Sequence, residues 1–179
     1  PSSPILDQAE GVEMLYSSGT TGRPKGILKA MPTGEFGIPA PGYRLTSKIY
    51  SIDEHSVYLS TAPLYHAAPL MFSMRCLRYG ATVVIMEKFD ADQALRLIET
   101  HRVTHSQWVP TMFVRMLRLP EETRWSADLS SLRYVIHAAA PCPIEVKRRM
   151  IDWLGPILWE YYGGLEGNIG CLINGAGLA

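Results

Sequence analysis

The chain has 179 residues, 47% of them hydrophobic, and its 17 basic side chains balance 17 acidic ones. This length and composition suit one domain with a buried core. The zero formal net charge argues against DNA, RNA or an anionic membrane as the main partner.

The cysteines and the chain ends indicate the compartment. Three widely spaced cysteines without a CxxC pair favour reduced thiols in a cytoplasmic protein over a disulfide framework or a zinc site. No stretch approaches the ~18 to 20 apolar residues of a transmembrane helix. The first residues lack the basic start and apolar core of a signal peptide. Because an initiating Met is also missing, we expect that the chain was cut or processed from a longer one.

Residues 16–26, with the sequence YSSGTTGRPKG, are the most informative segment of the chain. Hydroxyl groups donate hydrogen bonds to phosphate oxygens, and glycines let backbone N–H groups approach a polyanion closely. Lys25 can place a point charge on a phosphate. The segment therefore predicts a loop that holds a nucleoside triphosphate.

This loop differs from a Walker A loop, in which Gly-Lys-Ser/Thr opens a helix. Pro24 precedes Lys25 here, and it disfavours helical geometry at Arg23. We therefore predict that the loop returns into a strand at residues 27–29. The alternative is a polar hairpin turn without a ligand, since Ser, Thr and Gly are ordinary turn residues.

The remaining elements alternate along the chain. Residues 31–51 predict a long irregular connection, with a short helix near residues 45–50. Next come a strand at Val57–Ser60, a helix at 67–79, a strand at 81–86, a helix at Ala91–His101, a strand at 103–109, a helix at 111–119, a strand at 132–137, a helix at 143–154 and a strand at 157–161, which leads into a loop at 162–167. Residues 167–179 are small and uncharged and are not expected to bury a face.

Local signals support several of these boundaries. Gly80 is a predicted C-cap, Asp90 and Thr111 are predicted N-caps, and Pro143 suits a first helical turn. The continuous β-branched run at residues 81–86 predicts a buried strand. His101 closes a helix and His105 lies in a strand, so this pair predicts no metal site.

Repeated strand–helix units predict an α/β fold with a largely parallel sheet flanked by helices. Ligands of such sheets bind at the carboxyl ends of the strands. The loops that follow residues 59, 109, 137 and 161 are therefore the predicted walls of a site.

Three later segments join the opening loop in a co-linear set. They are Pro63-Leu64-Tyr65-His66, Ala138-Ala139-Ala140-Pro141 and Glu160-Tyr161-Tyr162-Gly163-Gly164-Leu165-Glu166-Gly167. With them the chain resembles the adenylate-forming superfamily of acyl-CoA synthetases, firefly-luciferase-like enzymes and peptide-synthetase adenylation domains. Within it, the chain looks most like acyl-CoA synthetases acting on fatty or aryl acids. The resemblance implies that residues 1–179 are the central part of the large N-terminal adenylation domain, with the C-terminal domain absent.

The resemblance implies a reaction in two halves. ATP and a carboxylate give an acyl-adenylate and pyrophosphate, and the thiol of CoA then gives the thioester and AMP. Mg²⁺ is implied with ATP, since it favours carboxylate and phosphate oxygens. The small molecules ATP, Mg²⁺, CoA and a carboxylic acid are the implied partners.

The resemblance also assigns roles to individual residues. His66, Lys25 and Glu166 are the implied catalytic group, with Glu166 as the metal-associated carboxylate. The β- and γ-phosphates would be held by Ser17, Ser18, Gly19, Thr20, Thr21, Gly22 and Lys25. The adenine side would be formed by Ala138, Ala139, Ala140, Pro141, Glu160, Tyr161, Tyr162 and Gly163, with Tyr161 or Tyr162 touching the base.

The residues assigned to binding the carboxylic acid have alternative interpretations. His66 matches the family's histidine at the acyl carboxylate, although an isolated histidine after a strand is often a structural residue. An apolar acyl pocket would be lined by Tyr65, Ala67, Met71, Trp108, Val109 and Met112. Each of these side chains taken alone suits a core position equally well.

Two departures from the family pattern bear on activity. Leu165 replaces a threonine whose hydroxyl meets the α-phosphate or the metal, which predicts weaker catalysis with nucleotide binding partly retained. The ribose-binding aspartate, the hinge and the C-terminal lysine lie beyond residue 179, so the isolated chain is predicted to be incompetent. An amino-acid adenylation domain and a non-catalytic nucleotide-binding module remain alternative interpretations.

Overall fold

The computed structural model describes residues 8–17, 22–39, 41–164 and 169–175. In chain order the elements are β1 (Met14–Ser17), β2 (Lys25–Leu28), α1 (Pro41–Ile49), β3 (Val57–Ser60), α2 (Ala67–Arg78), β4 (Thr82–Ile85), α3 (Ala91–His101), β5 (His105–Trp108), α4 (Pro110–Leu117), α5 (Glu121–Ser126), β6 (Tyr134–His137), α6 (Ile144–Leu154), β7 (Leu158–Gly163) and β8 (Ile169–Asn174). Among these residues, none of the helices is long and apolar enough to cross a membrane.

A six-stranded sheet in the order β4-β3-β5-β6-β7-β8 organises the fold, and β1 pairs with β2 in a separate antiparallel hairpin. The neighbours from β4 to β7 are parallel, whereas β8 runs antiparallel to β7. The prediction of an α/β fold with a largely parallel sheet is confirmed. The carboxyl ends of β3, β5, β6 and β7 consequently lie along one edge, called here the carboxyl edge.

The strand register divides the side chains between two faces of this sheet. Tyr58 pairs with His105, and their neighbours Leu59 and Ser106 pair with each other. Because successive residues of a strand point to opposite faces, the Tyr58 set faces α1 and α2 while the Leu59 set faces α3, α4 and α6. We call these the α2 face and the α4 face.

Each face has its own core. On the α2 face the ring of Phe72 packs between the rings of Tyr50 and Tyr58, at centroid distances of 5.8 and 6.1 Å. On the α4 face Leu59, Phe113 and Met150 are fully buried. The sheet is therefore covered on both sides, as expected for parallel strands.

The caps of α2 and α3 follow the sequence. Gly80, just after the C-cap of α2, has φ of 78°, a conformation that glycine adopts without strain. The Asp90 side chain accepts a hydrogen bond of 2.8 Å from the backbone N–H of Gln93. The predicted N-cap Asp90 is confirmed, whereas Gly80 lies one residue after the C-cap Tyr79.

Two local predictions were wrong. Thr111 lies inside α4 rather than capping it, because Val109 has extended backbone and Pro110 begins the helix with a preset φ. The run at residues 81–86 forms the edge strand β4, in which Ile85 is 54% exposed. An apolar run alone does not distinguish a central strand from an edge strand.

The sequence did not predict α5 or β8. The six residues of α5 are too few to show a helical period. β8 forms from the small residues that were not expected to bury a face, and Leu172 packs on the aromatic cluster of the α2 face. Pairing with β7, a long-range contact, compensates for the weak strand propensity of its Gly and Asn residues.

Candidate functional site

The β1–β2 hairpin holds the two ends of the predicted phosphate loop. Ser17 ends β1 and lies opposite Lys25, which opens β2 as an exposed residue. Gly22 has φ of 80°, in the region that favours glycine. The loop therefore returns into a strand, as predicted. Ser18, Gly19, Thr20 and Thr21 lie outside the described residues.

At the end of β3 the chain turns tightly into α2. The hydroxyl of Thr61 donates a hydrogen bond of 2.5 Å to the carbonyl of Gln107, which links the ends of β3 and β5. The N–H of His66 donates to the carbonyl of Pro63 at 3.1 Å. His66 is the N-cap residue of α2 and is exposed, with its ring centroid 4.5 Å from that of Tyr65. Its imidazole is thus presented at the carboxyl edge.

The small-residue turn follows β6 at the same edge. Ala138 is buried, whereas Ala139, Ala140 and Pro141 are exposed. Ala139 has φ of 74°, in a left-handed region that costs an L-residue roughly 1–2 kcal/mol. A strained alanine at the end of a parallel strand is a local feature of the kind found at ligand sites.

The two tyrosines of β7 point to opposite sides. The Tyr161 hydroxyl accepts a hydrogen bond of 2.9 Å from Gln107 Nε2, and its ring stacks on Phe72 with centroids 6.4 Å apart. Tyr162 is 78% exposed. Tyr161 is therefore engaged in the α2 face, while the ring of Tyr162 is accessible.

A buried histidine that sequence reasoning overlooked lies beside Glu160. His137 ends β6 with no exposed surface, and it pairs in register with Glu160 of β7. Its Nδ1 lies 4.0 Å from Glu160 Oε1, and the ammonium of Lys147 on α6 bonds the same carboxylate. Neither ring nitrogen of His137 has a hydrogen-bond partner among the described residues.

The charge state of His137 follows from this environment. Burial lowers the pKa of His137 to about 4; the Glu160 carboxylate opposes that shift, and the Lys147 ammonium adds to it. The imidazole is therefore neutral at pH 7. Its position directly before Ala138 was the sequence signal that could have drawn attention to it.

The proposed acyl-wall residues are not all brought together. Trp108 and Met112 are buried in the core of the α4 face, where the Trp108 ring meets Phe89 edge-on at 5.8 Å. Ala67 and Met71 belong to α2, on the other side of the sheet. The two sets therefore flank the carboxyl edge from opposite faces, because α2 and α4 cover opposite sides of the sheet.

No group of three metal-binding side chains occurs within the described ranges. Glu166, the predicted metal residue, and Leu165 lie outside them. His105 contacts the carbonyl of Tyr50 at 2.7 Å through Nε2, which gives this histidine a structural role.

Two concave parts of the surface formed by described residues lie away from these motifs. Two open depressions flank the amino-terminal edge of the sheet, one at Ile52 and Asp53 and the other at Arg133 and Pro156. Neither contains a residue of the four motifs. In parallel α/β sheets ligands bind at the carboxyl edge, so we assign the candidate site to that edge.

Comparison with known proteins identifies the family of this chain. The chain matches the family model described as AMP-binding enzyme over residues 2–177. It is 34% identical to 4-coumarate–CoA ligase 1 of Oryza sativa subsp. japonica over 166 residues, which cover 90% of this chain and 28% of that protein. It is 36% identical to a feruloyl-CoA synthase of Amycolatopsis sp over 162 residues, which cover 89% of this chain and 31% of that protein.

A solved structure supports the same relationship. The crystal structure of ATP-bound MatB from Rhodopseudomonas palustris superposes with a TM-score of 0.70 at 28% identity, covering 90% of this chain and 30% of that one. The chain spans less than a third of the length of the curated relatives described above. A family match over nearly the whole sequence, with relatives above 30% identity, shows that the chain belongs to the AMP-binding enzyme family, as the resemblance to adenylate-forming enzymes predicted.

Proposed function

We propose that this chain forms the nucleotide- and acid-facing part of the large N-terminal domain of an AMP-forming acyl-CoA synthetase. The observation that carries the proposal is the carboxyl edge itself. The motifs around His66, Ala139 and Tyr162 are far apart in the sequence, yet all three lie at that one edge. The first follows β3, the second follows β6 and the third ends β7. Activation of a fatty or aryl acid, in the cytoplasm as the free cysteines suggest, is part of this proposal.

The proposed reaction starts with ATP as its magnesium complex. The carboxylate of the acid attacks the α-phosphorus, pyrophosphate leaves, and the thiol of CoA then displaces AMP from the acyl-adenylate. The site must stabilise charge that develops on the leaving pyrophosphate. We assign this task to Lys25 with the hydroxyl and N–H groups of Ser17 to Gly22, and we assign the metal to Glu166.

For the base, the structure favours one of the two tyrosines. The hydroxyl and ring of Tyr161 are already used by Gln107 and Phe72. The exposed ring of Tyr162 is available to stack on adenine, and the small residues Ala139 and Ala140 leave room beside it. We propose that Tyr162 contacts the base and that His66 contacts the carboxylate of the acid.

Acid-dependent exchange of pyrophosphate into ATP tests the proposal, with panels of fatty, aryl and amino acids. The assay uses the full-length polypeptide in which residues 1–179 occur, because the isolated chain is expected to be inactive. We expect exchange with fatty or aryl acids, and we expect Lys25→Ala to lower it at least about tenfold through loss of a charged hydrogen bond. Lys48→Ala is the matched control, since Lys48 is an exposed lysine on α1.

The possible outcomes separate the alternatives. Exchange supported only by amino acids would identify an amino-acid adenylation domain instead. ATP binding without exchange, retained after Leu165→Thr, would favour a non-catalytic nucleotide-binding module. Equal exchange in Lys25→Ala and the unmodified protein would refute the assigned role of the loop.

A further inference from the structure

Two buried histidines of the sheet differ in how their ring nitrogens are satisfied. His105 begins β5, and its ring contacts the Thr104 hydroxyl and the Tyr50 carbonyl, both at 2.7 Å. His137 ends β6 with no exposed surface, and neither of its ring nitrogens has a hydrogen-bond partner among the described residues. Buried polar atoms are normally paired. The unpaired histidine is the one at the carboxyl edge, where the candidate site lies.

The alternation of side chains along β6 and β7 places His137 in a row with two residues of β7. Val135 and Leu158 lie in the core of the α4 face, so His137 and Glu160, each two positions further along its strand, face the same way. Tyr162 follows on that face, two positions beyond Glu160, and its ring is 78% exposed. The row therefore runs from a buried imidazole, through a carboxylate, to the ring assigned to adenine.

The Glu160 carboxylate lies between two groups that can each bind one of its oxygens. Lys147 of α6 donates to Oε2, and 26% of the Glu160 side chain is exposed. Oε1 lies 4.0 Å from Nδ1 of His137, which exceeds a hydrogen bond by about 1 Å. A rotation about the side-chain bonds of Glu160 can close this gap. The carboxylate can then be held at both oxygens and still accept a further hydrogen bond, because each oxygen has two lone pairs.

The protonation state of His137 suits a donor to this carboxylate. Burial lowers the pKa of His137 to about 4, which leaves the ring neutral at pH 7. A neutral imidazole carries one N–H, and the tautomer with the proton on Nδ1 donates toward Oε1. Lys147 supplies the neutralising charge for Glu160, and His137 fixes the direction of the carboxylate without adding a second charge.

The same cluster does not suit a nucleophile or a metal ion. Cys142 follows the small-residue turn, and burial raises the pKa of its thiol, so the thiol stays protonated at pH 7. Within the part of the chain that the structure describes, no three metal-binding side chains come together. The geometry around Glu160 is instead that of a carboxylate held in place.

We propose that His137 and Lys147 are positioning residues that hold the two oxygens of Glu160, so that its carboxylate accepts a hydrogen bond from the 6-amino group of an adenine stacked on Tyr162. This inference rests on the proposed function, because it takes the base to lie at Tyr162. It goes beyond that function by giving roles to two side chains outside the four motifs, neither of which touches the nucleotide. A fixed carboxylate accepts from an amino group and repels a carbonyl oxygen at the same place, so the arrangement selects adenine over a 6-oxopurine.

ATP and inosine triphosphate provide the test, because they carry an amino group and an oxygen, respectively, at position 6 of the purine. Their dissociation constants are measured by calorimetry with the full-length polypeptide in which residues 1–179 occur. We expect ATP to bind about 10- to 100-fold more tightly, the range for a hydrogen bond to a charged group. This measurement requires binding alone and no catalytic turnover.

Substitutions at His137 test its positioning role. His137→Leu removes the ring N–H and should reduce the preference for ATP about three- to tenfold, with inosine triphosphate changed less than about twofold. His137→Asn keeps a side-chain N–H at the place of Nδ1 and should retain the preference within about twofold. His105→Asn is the matched control, a buried histidine at the other end of the sheet, and it should leave the preference unchanged.

Substitutions on α6 test the second positioning residue, and they keep the inference testable if His137→Leu does not fold. Lys147→Met should also reduce the preference for ATP, because Glu160 then loses its bond at Oε2. Arg148→Met is the matched control, since Arg148 is the next residue of α6 and pairs with Glu145 at the exposed surface. We expect this control to leave both dissociation constants unchanged.

The outcomes distinguish this inference from the proposed function. Equal affinity of the unmodified protein for the two nucleotides would overturn the inference. An equal loss for both nucleotides in His137→Leu and in His137→Asn would do the same, since it indicates a purely structural histidine. Pyrophosphate exchange is recorded separately: its absence with every acid counts against the proposed function alone if the nucleotide preference responds as expected. Normal exchange with an unaltered preference in His137→Leu and Lys147→Met counts against the inference alone.

Discussion

At the scale of single residues, His137 makes stability depend on pH. Its pKa is lowered from 6.5 to about 4 in the folded protein. Above pH 6.5 the imidazole is neutral in both states; as the pH falls from about 6.5 to 4 the unfolded chain takes up the proton first. The free energy of unfolding should therefore fall over this window, by up to about 3 kcal/mol from this group.

Urea unfolding between pH 8 and pH 5 measures the effect. His137→Asn should flatten the pH dependence, because it removes the group that titrates differently in the two states. His105, whose pKa burial also lowers, contributes with the same sign and remains in the variant. His55→Asn is the control, since the side chain of His55 is 84% exposed. An unchanged slope in His137→Asn would contradict the prediction.

The backbone conformation of Ala139 leads to a second prediction about stability. Its φ of 74° is costly for alanine and free of strain for glycine. The gain is reduced by the greater entropy of glycine in the unfolded chain. We therefore expect Ala139→Gly to raise the free energy of unfolding by about 0.5–1 kcal/mol, and Ala140→Gly, with ordinary φ, to lower it. Thermal unfolding of both variants checks the difference in sign.

At the scale of elements, α3 shows where local sequence suffices. Its bounds, Ala91–His101, were predicted because Asp90 caps the N-terminus and Ala94, Leu95 and Ile98 form one buried face. Asp90→Ala removes the hydrogen bond to the N–H of Gln93 and should cost about 1 kcal/mol of stability. Glu99→Ala, at an exposed position of the same helix, should change stability by less than about 0.5 kcal/mol. Chemical denaturation of the two variants measures the difference.

The features that the sequence did not reveal depend on long-range contacts. β4 has the composition of a buried strand and lies at the edge, and β8 has a weak composition and pairs with β7. The face that a strand side chain occupies depends on register, which places Trp108 on the α4 face, across the sheet from the helix that carries Met71. The surroundings of His137, with Lys147 of α6 beside Glu160, depend on which helix covers the α4 face. A pattern read along one chain contains none of this information.

At the scale of the whole molecule, the central sheet and the β1–β2 hairpin differ in how strongly packing and strand pairing stabilise them. β5 is buried at all four positions and lies between two parallel neighbours. The β1–β2 hairpin has a single pairing, and Tyr16 and Leu28 are 66% and 69% exposed. Two-stranded sheets are marginally stable without further packing. We therefore expect amide hydrogen exchange to be slowest in β5 and β6 and fast in the hairpin.

This difference connects stability to the proposed function, because the hairpin holds the phosphate loop. A triphosphate bound by Lys25 and the neighbouring N–H groups should slow exchange in the hairpin far more than in the sheet. The amides of the sheet already exchange mainly through global unfolding. ATP at about 100 times its dissociation constant stabilises the folded, ATP-binding state by about 2.7 kcal/mol. For an amide that exchanges only after ATP has dissociated, this corresponds to exchange that is roughly a hundredfold slower. Exchange measured by mass spectrometry with and without ATP should show this slowing at β1 and β2, with little change at β5. Lys25→Ala should abolish it, whereas Lys48→Ala should not. Protection by ATP confined to the sheet would place the nucleotide away from the hairpin and refute the assignment of the loop.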